Sequence, residues 1–145
     1  MGNNGIRASG YYATYNGREY FSQRLREHVM LFTDSVPLPL GFEVSPLEWA
    51  RGERYVPISD LTRLVEVETM CSWNGQKFLV GIIDGGIANV YYKGTDFDTV
   101  AHLPGMTRPD KYEVIGQVPV AELNDVRESV EEVPLDAPDG NRREI

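Results

Sequence analysis

The side chains best suited to chemistry are two histidines, His28 and His102, a single cysteine, Cys71, and the carboxylates Asp84, Asp96 and Asp98. A zinc site needs three or four ligands at close, characteristic spacing, and neither histidine has a third ligand beside it. The three aspartates offer oxygen to calcium but lack the regular ligand spacing and closing glutamate of an EF-hand. The strand-turn-helix corner Gly-x-Ser-x-Gly that presents a nucleophilic serine does not occur. The glycines around Asp84-Gly85-Gly86 and Gly94-Thr95-Asp96 match neither phosphate-cradling pattern and read as turns. Cys71, between Met70 and Ser72 in an expected strand, reads as a small buried apolar residue rather than a nucleophile. The expectation is therefore a protein without catalytic residues, metal or cofactor.

Binding is the remaining chemistry, and it falls on aromatic and acidic residues at loops and strand ends. Trp49, Tyr92, Asp96 and Asp98 are the candidate partner-binding residues, since loops on a rigid β scaffold are where contacts concentrate. Trp49 has a second reading, as a lid on the core. There are eight tyrosines, and the adjacent pairs Tyr11-Tyr12 and Tyr91-Tyr92 must place one ring on each face of a sheet. An exposed tyrosine suits a contact surface, while β-propensity alone accounts for the same residues.

The elements that position these residues are visible as an internal repeat. Tyr15-Asn16-Gly17-Arg18-Glu19-Tyr20-Phe21 returns as Trp73-Asn74-Gly75-Gln76-Lys77-Phe78-Leu79, and Val56-Pro57-Ile58-Ser59-Asp60-Leu61 returns as Val118-Pro119-Val120-Ala121-Glu122-Leu123. The two landmarks recur 58 and 62 residues on, a difference that surface loops absorb at little cost. In the first copy, Tyr11 to Tyr15 and Glu19 to Leu25 read as a hairpin about Asn16-Gly17, followed by a strand from Val29 to Thr33. In the second, strands are expected from Leu64 to Trp73, Lys77 to Ile83 and Ile87 to Lys93. Val65, Val67, Thr69 and Cys71 face one way, and Glu66, Glu68 and Met70 the other.

Each copy then has a longer irregular segment, Ser35 to Arg54 or Gly94 to Lys111, before its Val-Pro landmark and one short helical turn. In the second segment Asp96 is placed to cap a helix running to Leu103. This order resembles that of SH3-like small barrels. The expected fold is mainly β, with two duplicated small SH3-like β units packed together, residues 9–64 and 65–133, and short helices. Val120, Leu123, Val126, Val130 and Val133 fall at helical spacing, so a C-terminal helix is expected, with a strand over part of Asp125 to Glu131 as the alternative the valines allow. Residues 134–145 have almost nothing apolar to bury and are expected to form a disordered tail.

Composition supports a packed domain of moderate size: 145 residues, 41% hydrophobic, 25% charged. Units of about 60 residues are marginal alone, so the two should support each other. The net charge of -8 disfavours nucleic acid in the absence of a basic stripe. The segment from Glu122 to Ile145 holds eight acidic against three basic residues. It reads either as a solvated face with a mobile tail or as a field that steers a basic partner. No apolar run approaches the length of a membrane span, and Ile6 stands where a myristoylation signal has Ser or Thr. With a lone cysteine and no basic-apolar leader, the expected location is cytoplasmic.

Tyr15-Asn16-Gly17-Arg18-Glu19-Tyr20, Val56-Pro57-Ile58-Ser59-Asp60-Leu61-Thr62-Arg63-Leu64, Thr69-Met70-Cys71-Ser72-Trp73-Asn74-Gly75 and Val90-Tyr91-Tyr92-Lys93-Gly94 together resemble uncharacterised small bacterial proteins associated with immunity to polymorphic toxins, over about residues 9–132. The resemblance implies stoichiometric blockade of a toxin domain, a basic one in view of the acidic charge, with no turnover. The alternatives are an SH3-like adaptor for extended peptides, and a small enzyme with its site between the two repeats.

Overall fold

The structure, a computed structural model, describes residues 5–135. It is mainly β, built from antiparallel strand ladders. The chain divides into two compact units. Among the described residues, one comprises Gly10–Glu66 and residues 130–135; the other comprises residues 5–9 and Val67–Ser129. The division falls between Glu66 and Val67, and each unit also takes a terminal segment from the far end of the chain.

In the unit built on Gly10–Glu66, β1 (Gly10–Tyr15), β2 (Arg18–Leu25) and β3 (His28–Thr33) form a meander, β4 (Glu43–Val44) and β5 (Gly52–Pro57) follow, and β6 (Arg63–Trp73) begins. The spatial order is β4-β5-β3-β2-β1-β6. Tyr15 pairs with Arg18 across Asn16-Gly17. Both corner residues have positive φ, 51° and 79°, the pairing of angles that lets a two-residue turn follow the strand twist. On β5, Val56 lies opposite Val29 and Pro57 opposite His28. After Pro57 comes a 3-10 turn, Ile58–Asp60. The Ile58 N–H reaches back 2.9 Å to the Glu27 carbonyl in the turn between β2 and β3. Ala13, Val29, Leu31, Val56, Ile58 and Leu64 are among the residues that fill this core.

The other unit runs through the rest of β6, then β7 (Gln76–Asp84), β8 (Ile87–Tyr92), the short helix α1 (Phe97–Val100), β9 (Met106–Asp110), β10 (Glu113–Pro119) and β11 (Asn124–Glu132). Its order is β6-β7-β8-β10-β9, with β11 paired to β6. Trp73 pairs with Gln76 across Asn74-Gly75, whose φ angles are 51° and 73°. Val118 lies opposite Ala88 and Pro119 opposite Ile87. A 3-10 turn, Val120–Glu122, follows Pro119, and the Val120 N–H reaches 2.9 Å to the Gly86 carbonyl in the turn between β7 and β8. Phe78, Val80, Val90, Val100, Val114 and Val118 form the centre of its core.

The expected alternation along β6 holds: Val65, Val67, Thr69, Cys71 and Trp73 are buried, while Glu66 and Glu68 are exposed. Three expectations need correction. The C-terminal helix is instead the strand β11, exposed along its whole length. Asp125 has φ 50°, a left-handed angle that no residue inside a right-handed helix can hold, and Val126 and Val130 suit a strand set against β6. The helix starting after Asp96 stops at Val100 rather than Leu103, the chain tightening into turns before Gly105. The long irregular segments also contain strands, β4 and β9; β9 carries Pro109 at the outer end of its unit's strand order, where a missing N–H costs no ladder bond. Of the expected tail, Pro134 and Leu135 are described, and Leu135 packs on the core of the unit built on Gly10–Glu66; residues 136–145 lie outside the described residues.

Candidate binding surface

Between β3 and β5 the chain makes a long excursion that is pinned at its base. Ser45 is buried; its hydroxyl donates to Glu53 Oε1 at 2.9 Å and accepts from the Leu47 N–H at 3.1 Å. The Ser45 N–H donates to the Arg51 carbonyl at 3.0 Å, the Arg51 N–H reaches the Thr33 carbonyl at 3.0 Å, and Arg54 Nη1 donates to the Leu40 carbonyl at 3.1 Å. Leu38 covers Gly52 closely: a Cβ there would come within 2.5 Å of Leu38 Cδ2, so any larger residue would displace the leucine.

Trp49 is half-buried in this excursion. Its ring packs on Phe32 at 4.7 Å and edge-on to Phe21 at 5.8 Å between centroids, and Phe21 in turn meets Tyr12 at 5.3 Å. The indole thus closes an aromatic cluster on the β2-β3 face and stays partly exposed. On the neighbouring strands His28 and Tyr55 stack in parallel at 4.5 Å, and Tyr55 is exposed.

The corresponding segment of the other unit, from the end of β8 to β9, contains the remaining candidates. Tyr92 is buried at 8% exposure, whereas Tyr91 beside it is 38% exposed, so Tyr91 is the ring of that pair offered to solvent. The Tyr92 hydroxyl accepts from the Asp96 N–H at 2.9 Å and lies 3.4 Å from Gln76 Oε1. Gly94 gives that ring its space, because a Cβ would meet the hydroxyl at 2.3 Å. Asp96 caps α1, its Oδ1 accepting from the Thr99 N–H at 3.3 Å, as the sequence leads one to expect. Asp98 projects outward with its side chain 89% exposed and pairs with Arg108 Nη1 at 2.6 Å. Arg108 is fixed in turn by two bonds to the Lys111 carbonyl. Phe97 stands edge-on to both Tyr92 and the exposed Tyr112.

Tyr92, Asp96 and Asp98 therefore come together in one unit, with Tyr92 and Asp96 holding the segment in shape and Asp98 presented by it. Trp49 belongs to the other unit. Four exposed apolar residues, Val36, Leu40, Val44 and Leu47, were missed as candidates; their signal is the run of apolar residues interrupted by prolines between two strands.

Cys71 is buried in the core of the unit built on Val67–Ser129. Burial pushes the Cys71 thiol up to about 11, which suppresses the thiolate a nucleophile requires. His102 Nδ1 lies 2.9 Å from the Asp98 carbonyl. Among the described residues no three His, Cys, Asp or Glu side chains form a cluster able to hold a metal ion, and no helix is long and apolar enough to cross a membrane. Residues 7–134 match the family model described as Uncharacterised conserved protein UCP033725. The chain belongs to that family. No curated protein and no solved structure matches it.

Proposed function

We propose that the chain is a duplicated pair of SH3-like small β units that binds a protein partner stoichiometrically, as an immunity-type protein blocking a basic toxin domain without turnover. The duplication is supported by the match of non-local detail: in each unit an Asn-Gly corner joins the first two strands, a proline faces the first residue of the third strand, and the next N–H bonds back to the turn before that strand. Simple β-propensity does not require these bonds to recur.

The observation that carries the binding reading is that both units open at the same topological point, after the third strand, into excursions pinned by buried contacts and presenting exposed side chains, Leu40 in one and Asp98 in the other. Pinning lowers the ordering cost of association. The acidic charge of the chain favours a basic partner through steering, and the four-part motif resemblance selects toxin blockade among protein-binding roles. The stacked His28-Tyr55 pair favours, as a second reading, an adaptor that takes extended peptides on an aromatic surface.

The test is calorimetric titration of the chain with the product of the neighbouring gene, alongside an assay of that product's toxicity. Toxin blockade requires a one-to-one complex and inhibition that is complete at one equivalent. Inhibition completed by a small fraction of an equivalent would contradict it.

A further inference from the structure

Of the ten large apolar side chains exposed among the described residues, four lie on the single excursion between β3 and β5: Val36 at 72%, Leu40 at 97%, Val44 at 78% and Leu47 at 39%. This concentration separates them from the scattered apolar exposure that any surface carries. Floppiness does not account for it, because the same excursion buries Ser45, sets Leu38 over Gly52 and packs Trp49 on Phe32. Leu38 turns in while Leu40 turns out. The backbone is held, and the apolar side chains are held in water.

Resting on the protein-binding reading above, we infer that Val36, Leu40, Val44 and Leu47 form the docking surface for a basic, amphipathic segment of the partner. Exposed carboxylates of Asp34, Glu43 and Glu48 lie on the same excursion as the apolar residues, against the exposed cation of Arg51 and the half-buried guanidinium of Arg54, which is tied to the Leu40 carbonyl, so acidic groups outnumber basic ones there. A segment whose apolar side chains are bordered by lysine or arginine satisfies both features at once. The same rim repels an anionic membrane, and the net charge of -8 opposes a second copy of this chain.

The docking is through side chains rather than by strand addition. The Ser45-to-Arg51 bond makes Val44 and Gly52 a non-hydrogen-bonded pair, which turns the Val44 N–H and carbonyl away from β5. Yet β4 is only two residues long and Pro46 follows it, so no ladder can be extended along that edge.

The experiment pans a phage-displayed library of random short peptides against the immobilised full chain, then measures each enriched peptide by fluorescence anisotropy. Three proteins are compared: the wild type, Leu40→Ser/Val44→Ser and Glu43→Lys/Glu48→Lys. All four positions are exposed, and circular dichroism verifies that the fold is kept. Enriched peptides should combine Leu, Ile, Phe or Trp with Lys or Arg, and each double variant should weaken them by about tenfold or more. Peptides that bind both variants as tightly as the wild type would overturn this surface while leaving the protein-binding reading standing. Failure to enrich any peptide would count against both. A wild-type dimer in analytical ultracentrifugation that Leu40→Ser/Val44→Ser dissolves would overturn the inference in favour of self-association, and co-sedimentation with phosphatidylglycerol vesicles in favour of a membrane.

Discussion

Thr69 and Cys71 point into the same core from β6, and each makes a prediction that depends on its own surroundings. The Thr69 hydroxyl is buried with no hydrogen-bond partner, and a buried group in that state costs about 1–3 kcal/mol. Thr69→Val keeps the shape and removes the cost, so urea unfolding should show a gain of about 1 kcal/mol; a loss would mean that the hydroxyl is satisfied in solution. The Cys71 thiol, pushed up to about 11 by burial, should react with a thiol reagent at pH 8 only after unfolding, and rapid labelling of the native chain would place it at the surface. The inward phase of these two residues was legible from alternation alone. Tyr91-Tyr92 was legible only in part: a period of two says that the rings diverge, but which one turns inward is decided by Phe78, packed on Tyr92 at 5.6 Å, and by the hydroxyl's bond to Asp96, both contacts from outside the strand. Trp49 is similar, since the cluster it closes is assembled from β2 and β3.

At the scale of elements, the Asn-Gly corners were the firmest reading, because positive φ at two successive positions restricts the residues allowed there to very few. Gly75→Ala should cost about 1 kcal/mol through the left-handed angle alone, since nothing lies near the added Cβ; a neutral result in urea unfolding would mean that the turn changes type. The strand β11 was not legible as such. Its valines fit a helix face and a strand equally well, and the choice was made by the partner strand β6 and by Asp125, neither visible in local periodicity. Glu128 on this strand accepts two bonds from Arg7 at 3.0 Å, which hold its carboxyl below the ordinary 4.5. A lowered carboxylate stabilises above its unfolded value and is lost as pH falls through the folded one. Arg7→Ala should therefore reduce stability slightly at neutral pH, within the range of about 0–1 kcal/mol for partly exposed pairs, and the difference should vanish on acidification. A difference that grew in acid would contradict this assignment.

For the whole molecule, the exchange of the chain's ends between the two units was not legible in the sequence. Ile6 packs on the core of the unit built on Val67–Ser129, and the Ser9 N–H donates to the Val80 carbonyl there at 2.9 Å. Val133 and Leu135 pack on the core of the other unit, where the Val133 N–H reaches the Leu64 carbonyl at 2.9 Å and Glu132 pairs with Arg63. Such closures are non-local, and no local pattern encodes them. Each unit holds one tryptophan, Trp49 or Trp73, which gives each its own fluorescence signal. Truncation after Ser129 should lower the urea midpoint reported by Trp49 in a Trp73→Phe background and leave that reported by Trp73 in a Trp49→Phe background in place; equal loss from both would mean that the terminal segment is not specific to one unit. The account rests on recognition by pinned excursions rather than by a reactive group, and amide hydrogen exchange of the chain, free and in an equimolar complex with the neighbouring gene's product, tests it most directly. It predicts measurable protection in residues 36–51 of the free chain and a further slowing there in the complex. Rapid exchange of that segment in both states, with protection appearing only elsewhere, would contradict it.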